Sequence, residues 1–338
     1  MIASQRLNLL TDVPGLAVGN SHGAALRSGV TVVLFDRPAT ASCAILGGAP
    51  GSRETASLEP ECLVDGVDAL VLSGGSALGL DAASGVQAWL RERGRGFAVG
   101  PARVPIVPQA ILFDLLNGGN KDWGRYPPYR EMAYDAVNAA SRAFALGSSG
   151  AGFGATTVTL RGGLGSASCL SSRGYNVGAL AAVNALGSAT VGATGHFWAA
   201  PWEDNTEFGG LGLPQPFTPE MLKLHWKGGP PLATTLAVVA TDAVLTKAQA
   251  KRMAIVSHAG LARGLRLSAA DHDGDTVFAA ATGRSDQGPP SADDLIEIAA
   301  LAADCTARSI ARGVYLAEAN DLPQAGPPSW QQKFGSAV

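Results

Sequence analysis

Three carboxylates lie close together in one short stretch of the sequence, Asp271-His-Asp-Gly-Asp-Thr276, directly before an apolar run with the composition of a strand. Carboxylates at this spacing repel each other, so stability alone does not account for the cluster. A solvated turn of the calcium-loop kind is the alternative, but the spacing and the terminal glutamate of an EF-hand are absent. The stretch is therefore a candidate functional site.

A second candidate, Ser73-Gly-Gly-Ser-Ala-Leu-Gly79, follows a strand pattern and opens a helical one. It lacks the Gly-Lys-Ser/Thr of a phosphate loop and the spacing of a dinucleotide fingerprint. The glycine after Ser76 stands three places on, whereas a nucleophile elbow needs it two places on. Its backbone N–H groups could hold a carbonyl oxygen that becomes an anion, and a tight strand-to-helix turn explains the sequence equally well.

A third candidate is Gly228-Gly-Pro-Pro-Leu-Ala-Thr-Thr235, where a segment stiffened by proline meets the first residue of a buried strand. An ordinary loop-to-strand junction would explain it too. The five histidines contain no H-E-x-x-H motif and no pair at i, i+4, which speaks against a zinc site and against a Ser-His-Asp hydrolase. We expect no metal and no other cofactor, so any nucleophile needs a base other than histidine.

The predicted strands and helices that must position these residues follow each other in mixed order along the chain. Apolar runs rich in β-branched residues predict strands over 15–19, 29–35, 41–46, 68–72, 156–160, 234–241 and 275–281. Helical spacing and capping residues predict helices over 80–90, 131–146, 246–261 and 291–313. The uncharged stretch between Arg173 and Glu203 is rich in glycine, which favours buried strands over a membrane helix. Six prolines between Ala199 and Ala233 predict a long exposed connection.

Composition limits the function classes. Among 338 residues, 43 are Gly and 20 are Pro, which excludes a helical bundle as the whole fold. Only 16% are charged and 46% are hydrophobic, which favours a large core or an oligomer. A net charge of −3 without basic runs excludes nucleic acid and anionic membranes as partners. The four cysteines form no C-x-x-C pair and polar residues interrupt the N-terminal stretch, so we expect buried free thiols, no secretory signal and a cytoplasmic protein.

Several motifs recur in the order known from one family. The chain resembles the self-cleaving aminopeptidases of the L-aminopeptidase/D-esterase type, which include β-aminopeptidases and the nylon-oligomer (6-aminohexanoate-oligomer) endo-hydrolases. The resemblance spans most of the chain and rests on Leu10–Gly19, Gly47–Thr55, Leu72–Leu80, Gly150–Gly152, Gly162–Ser168, Thr234–Asp242 and Asp273–Phe278.

The resemblance implies an α/β fold, a four-layer αββα sandwich of the autoprocessing hydrolases that resemble N-terminal-nucleophile enzymes. It implies one hydrolase domain over residues 1–338, cut between Ala233 and Thr234 into a large subunit 1–233 and a small subunit 234–338. It also implies a small peptide or amide as substrate and a tetramer of processed protomers.

The resemblance further implies the catalytic groups. Thr234 would be the nucleophile, steadied by Asp273 and Asp275, and its α-amino group, with an unperturbed pKa of about 7.7–8.0, would be the base. Asn184 and N–H groups of the 73–79 loop would stabilise the oxyanion of an acyl-enzyme reaction. The substrate-binding residues expected in this scheme are Gly74, Gly75, Ser76 and Phe113.

Three positions depart from the family pattern. Phe113 stands where these hydrolases often have a tyrosine, and it cannot donate a hydrogen bond. The lysine that nylon-oligomer members carry after the Gly-Ala-Gly turn has no match, the nearest basic residue being Arg161. Ala233 precedes the cut where Gly or Asn is common. Two alternatives remain: an acyltransferase of the ornithine acetyltransferase type, and a binding protein of the same fold that is never cut.

Overall fold

The computed structural model describes residues 6–228, 233–319 and 326–335. These residues form eleven strands and five α-helices. The strands are β1 (Leu16–Gly23), β2 (Ser28–Ile45), β3 (Ser52–Arg53), β4 (Val67–Ser73), β5 (Phe97–Val99), β6 (Ala102–Val104), β7 (Gln109–Ile111), β8 (Leu164–Leu170), β9 (Asn176–Asn184), β10 (Thr234–Thr241) and β11 (Thr276–Ala281). The helices are α1 (Ala82–Glu92), α2 (Tyr129–Asn138), α3 (Lys247–Gly264), α4 (Ala292–Tyr315) and α5 (Trp330–Phe334).

Strand β2 is long enough to belong to two sheets. Its first half pairs with β1 and β4, and its second half pairs with β11. The register shifts between Leu34 and Ala39, at a point where Pro38 can donate no ladder hydrogen bond. The sequence patterns at 29–35 and 41–46, predicted as separate strands, are thus the two halves of one strand.

Three apolar clusters separate four layers. One packs α1 and α2 against the sheet formed by β4 and the first half of β2, and another lies between the two sheets. The last packs α3 and α4 against the sheet of β11, β10, β9 and β8. Alternation along β10 shows the arrangement, because Leu236 and Val238 face the gap between the sheets while Ala237 and Val239 face the helices. The predicted four-layer αββα sandwich is confirmed.

Strands β10 and β11 lie next to each other in the order β2–β11–β10–β9. They are parallel, with Leu236 opposite Thr276, and β10 is antiparallel to β9. Parallel neighbours begin at the same edge of a sheet. The fold therefore brings the start of β10 and the residues just before β11 together.

The regular elements after residue 233 follow their sequence signals closely. Helix α3 begins with a capping box of Thr246 and Gln249, and Ser291 caps α4 in the same way. Both predicted helices and both predicted strands in this part of the chain are confirmed. Across the described ranges, no helix is long and apolar enough to cross a bilayer.

Two predictions for the middle of the chain are wrong. The helix predicted to reach residue 146 ends at Asn138, because Ser141 exchanges backbone hydrogen bonds with Val18 of β1. The strand predicted over 156–160 is a turn, in which Thr157 and Leu160 bond each other. In the uncharged stretch β9 is a buried strand as predicted, but the residues after Asn184 form turns.

The four cysteines are unpaired, as predicted. Cys43 and Cys305 are buried, whereas Cys62 and Cys169 are half-buried, so the prediction of buried thiols holds for the first two.

Candidate active site

Thr234 begins β10 at the edge that the strand shares with the segment preceding β11. It lies opposite Asn184 in the β9–β10 register, and the preceding Ala233 forms a parallel bridge with Asp273. The alternation along the strand directs the Thr234 side chain toward the gap between the sheets, where it is buried. The four residues predicted as catalytic, Thr234, Asp273, Asp275 and Asn184, thus come together at one sheet edge.

The Thr234 hydroxyl lies against the peptide bond that precedes it. Its Oγ1 donates to the carbonyl oxygen of Ala233 over 2.5 Å. The same oxygen accepts the N–H of Gly274 over 3.2 Å. The Thr234 hydroxyl thus lies next to the Ala233 carbonyl, whose oxygen already accepts an N–H that could stabilise a negative charge on it.

Gly274 allows this close approach. A Cβ at Gly274 would lie 2.5 Å from Thr234 Oγ1 and 3.0 Å from the carbonyl oxygen of Ala49. The backbone of residues 47–49 fixes the turn, since the N–H of Ala49 donates to the carbonyl oxygen of Asp273 over 2.8 Å. The predicted motif at 47–55 therefore has a role in holding the Gly274 N–H in place.

Asp275 is fully buried and holds two backbone segments. It accepts the N–H of Thr235 over 2.7 Å and the N–H of Ala269 over 2.8 Å. Burial raises the pKa of this carboxyl, and the two N–H groups and nearby His258 oppose that rise. Asp275 thereby fixes the start of β10 relative to β11.

Asp273 is hydrogen-bonded to Asp275. Burial, with the neighbouring Asp275 carboxylate, raises the pKa of Asp273 to about 8. A hydrogen bond between two carboxyl groups needs a proton on one of them. We place it on Asp273, because Asp275 accepts two N–H groups that favour its ionised form. The negative charge of the pair then lies on Asp275.

Asn184 links Thr234 to a neighbouring cleft. Its Nδ2 donates to the carbonyl oxygen of Phe113 over 2.8 Å, and its Oδ1 accepts the N–H of Thr156 over 3.1 Å. The cleft has a volume of about 310 Å³, and Phe113, Asp114, Thr156 and Asn184 are among its lining residues. Phe113, predicted to bind substrate, thus lines the cleft next to Asn184.

Lys227 also lines the cleft, and the sequence analysis missed it. Its Nζ donates to the carbonyl oxygen of Thr156 over 2.8 Å and to Asn184 Oδ1 over 3.1 Å. Burial lowers the pKa of Lys227 to about 7, and the Asp273 carboxyl opposes this shift. Its position just before the Gly228 junction was the available signal, but the surrounding prolines predicted an exposed connection. Residues 229–232, part of the predicted junction, lie outside the described residues.

The predicted oxyanion donors of the Ser73–Gly79 loop are not brought to Thr234. The N–H groups of Gly74, Gly75 and Ser76 donate to the carbonyl oxygen of Gly29, to Asp114 Oδ1 and to the carbonyl oxygen of Leu112. The loop therefore uses these donors for its own packing.

Arg161, the nearest basic residue to the unmatched family lysine, is buried behind Thr156, with which it forms a β-bridge, and it is not among the described residues that line the cleft. Its Nη2 donates to the carbonyl oxygen of Phe153 over 2.8 Å.

Comparison with known sequences gives matches along almost the whole chain. The sequence profile of peptidase family S58 matches residues 8–324. An uncharacterized aminopeptidase of Mycobacterium tuberculosis is 40% identical over 354 residues, covering 98% of this chain and 99% of the relative. One from Mycobacterium leprae is 37% identical over 358 residues, covering 98% and 95%.

Solved structures share the fold. A β-aminopeptidase from Burkholderia sp. superposes with a TM-score of 0.69 at 21% identity, covering 98% of this chain and 94% of the other. The L-aminopeptidase D-Ala-esterase/amidase from Ochrobactrum anthropi, a variant of the Ntn hydrolase fold, gives 0.68 at 19% identity, covering 98% and 95%. At these identities the likeness shows a common fold.

Proposed function

Because this chain belongs to peptidase family S58, and is therefore a peptidase or amidase hydrolase with an Ntn-hydrolase fold, we propose that it cuts its own Ala233–Thr234 bond and then hydrolyses amides with Thr234. Family membership favours hydrolysis over the acyltransferase and the uncut binding protein. The observation that carries the proposal is the contact of Thr234 Oγ1 with the Ala233 carbonyl, whose oxygen also accepts the Gly274 N–H.

The cut proceeds by an N-to-O acyl shift. Thr234 Oγ1 attacks the carbonyl carbon of Ala233, the Gly274 N–H stabilises the negative oxygen that forms, and the C–N bond breaks to give an ester. The hydroxyl proton moves to the departing nitrogen of Thr234. Water then hydrolyses the ester, leaving a carboxylate on Ala233 and a free amino group on Thr234.

The carboxyl pair prepares this amino group for turnover. The new ammonium of Thr234 lies beside Asp273 and Asp275, whose single negative charge attracts it. An α-amino group has an unperturbed pKa of about 7.7–8.0, so its neutral form can take the proton from Oγ1 near neutral pH. Thr234 thus supplies both the nucleophile and the base.

In turnover the substrate carbonyl takes the place of the Ala233 carbonyl. Thr234 Oγ1 attacks the substrate carbonyl carbon, the C–N bond breaks, and the amine leaves with the proton that the Thr234 amino group took from Oγ1. Water then hydrolyses the ester on Oγ1 and releases the acid. We therefore assign the oxyanion donor to the Gly274 N–H, with Asn184 as the neighbouring side-chain amide, in place of the Ser73–Gly79 loop. A small peptide or other linear amide, including an amino-acid oligomer, fits the cleft beside Phe113.

We also propose that processed protomers form a tetramer in the cytoplasm. The hairpin of β5 and β6 leaves Phe97, Val99 and Val104 exposed, which suits a contact between protomers. The unpaired cysteines fit a reducing compartment. Light scattering on the processed protein tests the assembly, and a monomer would contradict it.

The decisive experiment compares wild type, Thr234→Ala and Thr235→Val by denaturing gel, intact mass and N-terminal sequencing. We expect two wild-type fragments, the smaller beginning Thr-Thr-Leu-Ala, and one inactive Thr234→Ala chain of 34.3 kDa. Thr235→Val keeps the shape of its side chain, which alternates to the other face of β10, so it should still be cut. An uncut wild type supports the binding-protein alternative, and a different new N-terminus refutes the Thr234 assignment.

A further inference from the structure

The Lys227 ammonium group occupies a cradle of three oxygen atoms. Nζ donates to Thr156 O over 2.8 Å, to Asn184 Oδ1 over 3.1 Å and to Asn184 O over 3.4 Å. A protonated primary amine has three N–H donors and no acceptor, so three oxygens match its hydrogen-bonding capacity. The oxygens belong to the chain before the cut, and contacts other than those with Lys227 help to hold them. The Thr156 N–H donates to Asn184 Oδ1 over 3.1 Å, and Asn184 is the last residue of β9.

The cradle lies beside the proposed nucleophile. Asn184 is the register partner of Thr234, and both Asn184 and Thr156 line the 310 Å³ cleft. An amino group held in the cradle is therefore close to the carbonyl that Thr234 would attack.

Lys227 reaches the cradle from a chain segment that makes few other contacts with the rest of the protein. Its backbone N–H donates to the carbonyl oxygen of Leu186, whereas the neighbouring Leu224, His225 and Trp226 are exposed. This segment leads to Ala233, so a cut after Ala233 gives it a free end.

We propose that Lys227 is an internal substitute for a ligand ammonium: it fills a subsite formed by Thr156 O, Asn184 O and Asn184 Oδ1 in the uncut chain, and a primary ammonium group of the substrate replaces it after the cut. The second half of this proposal rests on the proposed function. The subsite itself does not, because its oxygens are already in place in the uncut chain. Lys227 thus keeps the cleft closed to amines until the chain is processed.

The test uses uncut protein, so that it does not depend on self-cleavage. Thr234→Ala and the double variant Thr234→Ala/Lys227→Ala are titrated with L-alaninamide by calorimetry or NMR. We expect the double variant to bind at least tenfold more tightly, because the cradle is vacated. N-acetyl-L-alaninamide, which lacks the ammonium, should bind neither protein measurably. Thr234→Ala/Lys223→Ala removes an exposed lysine of the same segment and should behave like Thr234→Ala.

Equal binding by the two uncut proteins, no binding by either, or equal binding of the acetylated ligand would overturn the proposal. Thermal unfolding checks the fold of the double variant, and Thr234→Ala/Lys227→Ser, which keeps a polar atom at the position, should give the same result. Failure of the proposed function appears separately, as a wild-type chain that is not cut.

Discussion

Two turns of this protein each place glycine N–H groups next to a strand, and they differ in what those N–H groups do. In the Ser73–Gly79 loop, the N–H of Gly75 donates to Asp114 Oδ1 over 2.7 Å, inside the protein. In the turn before β11, the N–H of Gly274 donates to the carbonyl of Ala233, next to the Thr234 hydroxyl. Glycine next to a strand makes an N–H available, but the acceptor that the tertiary structure places opposite it decides its use.

The two turns are equally intolerant of a side chain. A Cβ at Gly75 would lie 2.3 Å from the ring of Tyr129, and one at Gly274 would lie 2.5 Å from Thr234 Oγ1. The first contact is packing and the second involves the proposed nucleophile. The same substitution in the two turns should therefore separate stability from chemistry.

Gly274→Ala should have the largest effect on chemistry. The added methyl group pushes Thr234 Oγ1 and the Gly274 N–H out of position, and loss of one such donor costs on the order of 10²–10³-fold in rate. The uncut chain should accumulate on a time-resolved denaturing gel. Gly228→Ala, with no described atom within 4 Å of its Cβ, is the matched control and should be cut normally. Normal cutting of Gly274→Ala would remove Gly274 from the mechanism.

Gly75→Ala should act on stability instead. Its φ of +86° and the Tyr129 ring both oppose a Cβ, and strain with overpacking at such a site costs about 3 kcal/mol. Denaturant unfolding, performed with Thr234→Ala as background so that the chain stays intact, measures the loss. The folded fraction of the single variant should still be cut at the wild-type rate. Slow cutting of folded Gly75→Ala would mean that the Ser73–Gly79 loop does take part in the reaction.

Asp114→Ala should have a smaller effect of the same kind. It leaves the buried Gly75 N–H without its acceptor, which costs about 1–3 kcal/mol, again measured by denaturant unfolding. Asp114→Asn keeps an oxygen for this N–H and should lose less. An equal loss in the two variants would mean that the charge of Asp114, which both variants remove, supports the loop and not its acceptor oxygen.

The smallest effect is a change in pH dependence. The folded protein holds the Asp273 proton up to about pH 8, whereas an unfolded carboxyl loses it near about pH 4, so stability falls as the pH rises between these values. Lys227 acts in the opposite sense above about pH 7, where an unfolded lysine still binds a proton that the folded one has lost.

Asp273→Asn in the Thr234→Ala background should therefore flatten the fall of the melting temperature between pH 5 and pH 8. Asp36→Asn, at a half-exposed carboxyl that pairs with Arg284, serves as the control for the loss of one carboxyl group at the surface. An unchanged slope in Asp273→Asn would mean that another group holds the proton.

Much of the fold after residue 233 could be predicted from the sequence because its elements follow simple rules. Strands β10 and β11 are short apolar runs, and α3 and α4 begin with capping residues. The candidate site was harder. The carboxylates of Asp273 and Asp275 and the junction at Thr234 stood out in the sequence, but their catalytic roles, and Asn184, came from the resemblance. These residues stand far apart in the chain, and the sheet register brings them together.

Neither the place of Lys227 in the cleft nor the turn at 156–160 could be predicted from the sequence, and the reason is the same for both. The β-branched composition of 156–160 favours a strand, yet the Thr156 N–H bonds Asn184 and the Thr156 carbonyl accepts the Lys227 ammonium. These backbone groups make their hydrogen bonds at the cleft and not to a neighbouring strand. Local composition predicts strands and helices well where they pack against a core. It predicts them poorly where the backbone groups form hydrogen bonds with residues distant in the sequence.

The strand order β2–β11–β10–β9 places the two strands after residue 233 between two strands that precede it. Once the chain is cut, neither fragment can keep a complete central sheet by itself. Refolding then requires the two fragments to associate. Recovery from denaturant should then slow on dilution for the processed protein and stay independent of concentration for Thr234→Ala. Hydrolysis of a single bond would thus turn a protein that refolds reversibly into one whose folded lifetime depends on how slowly it unfolds.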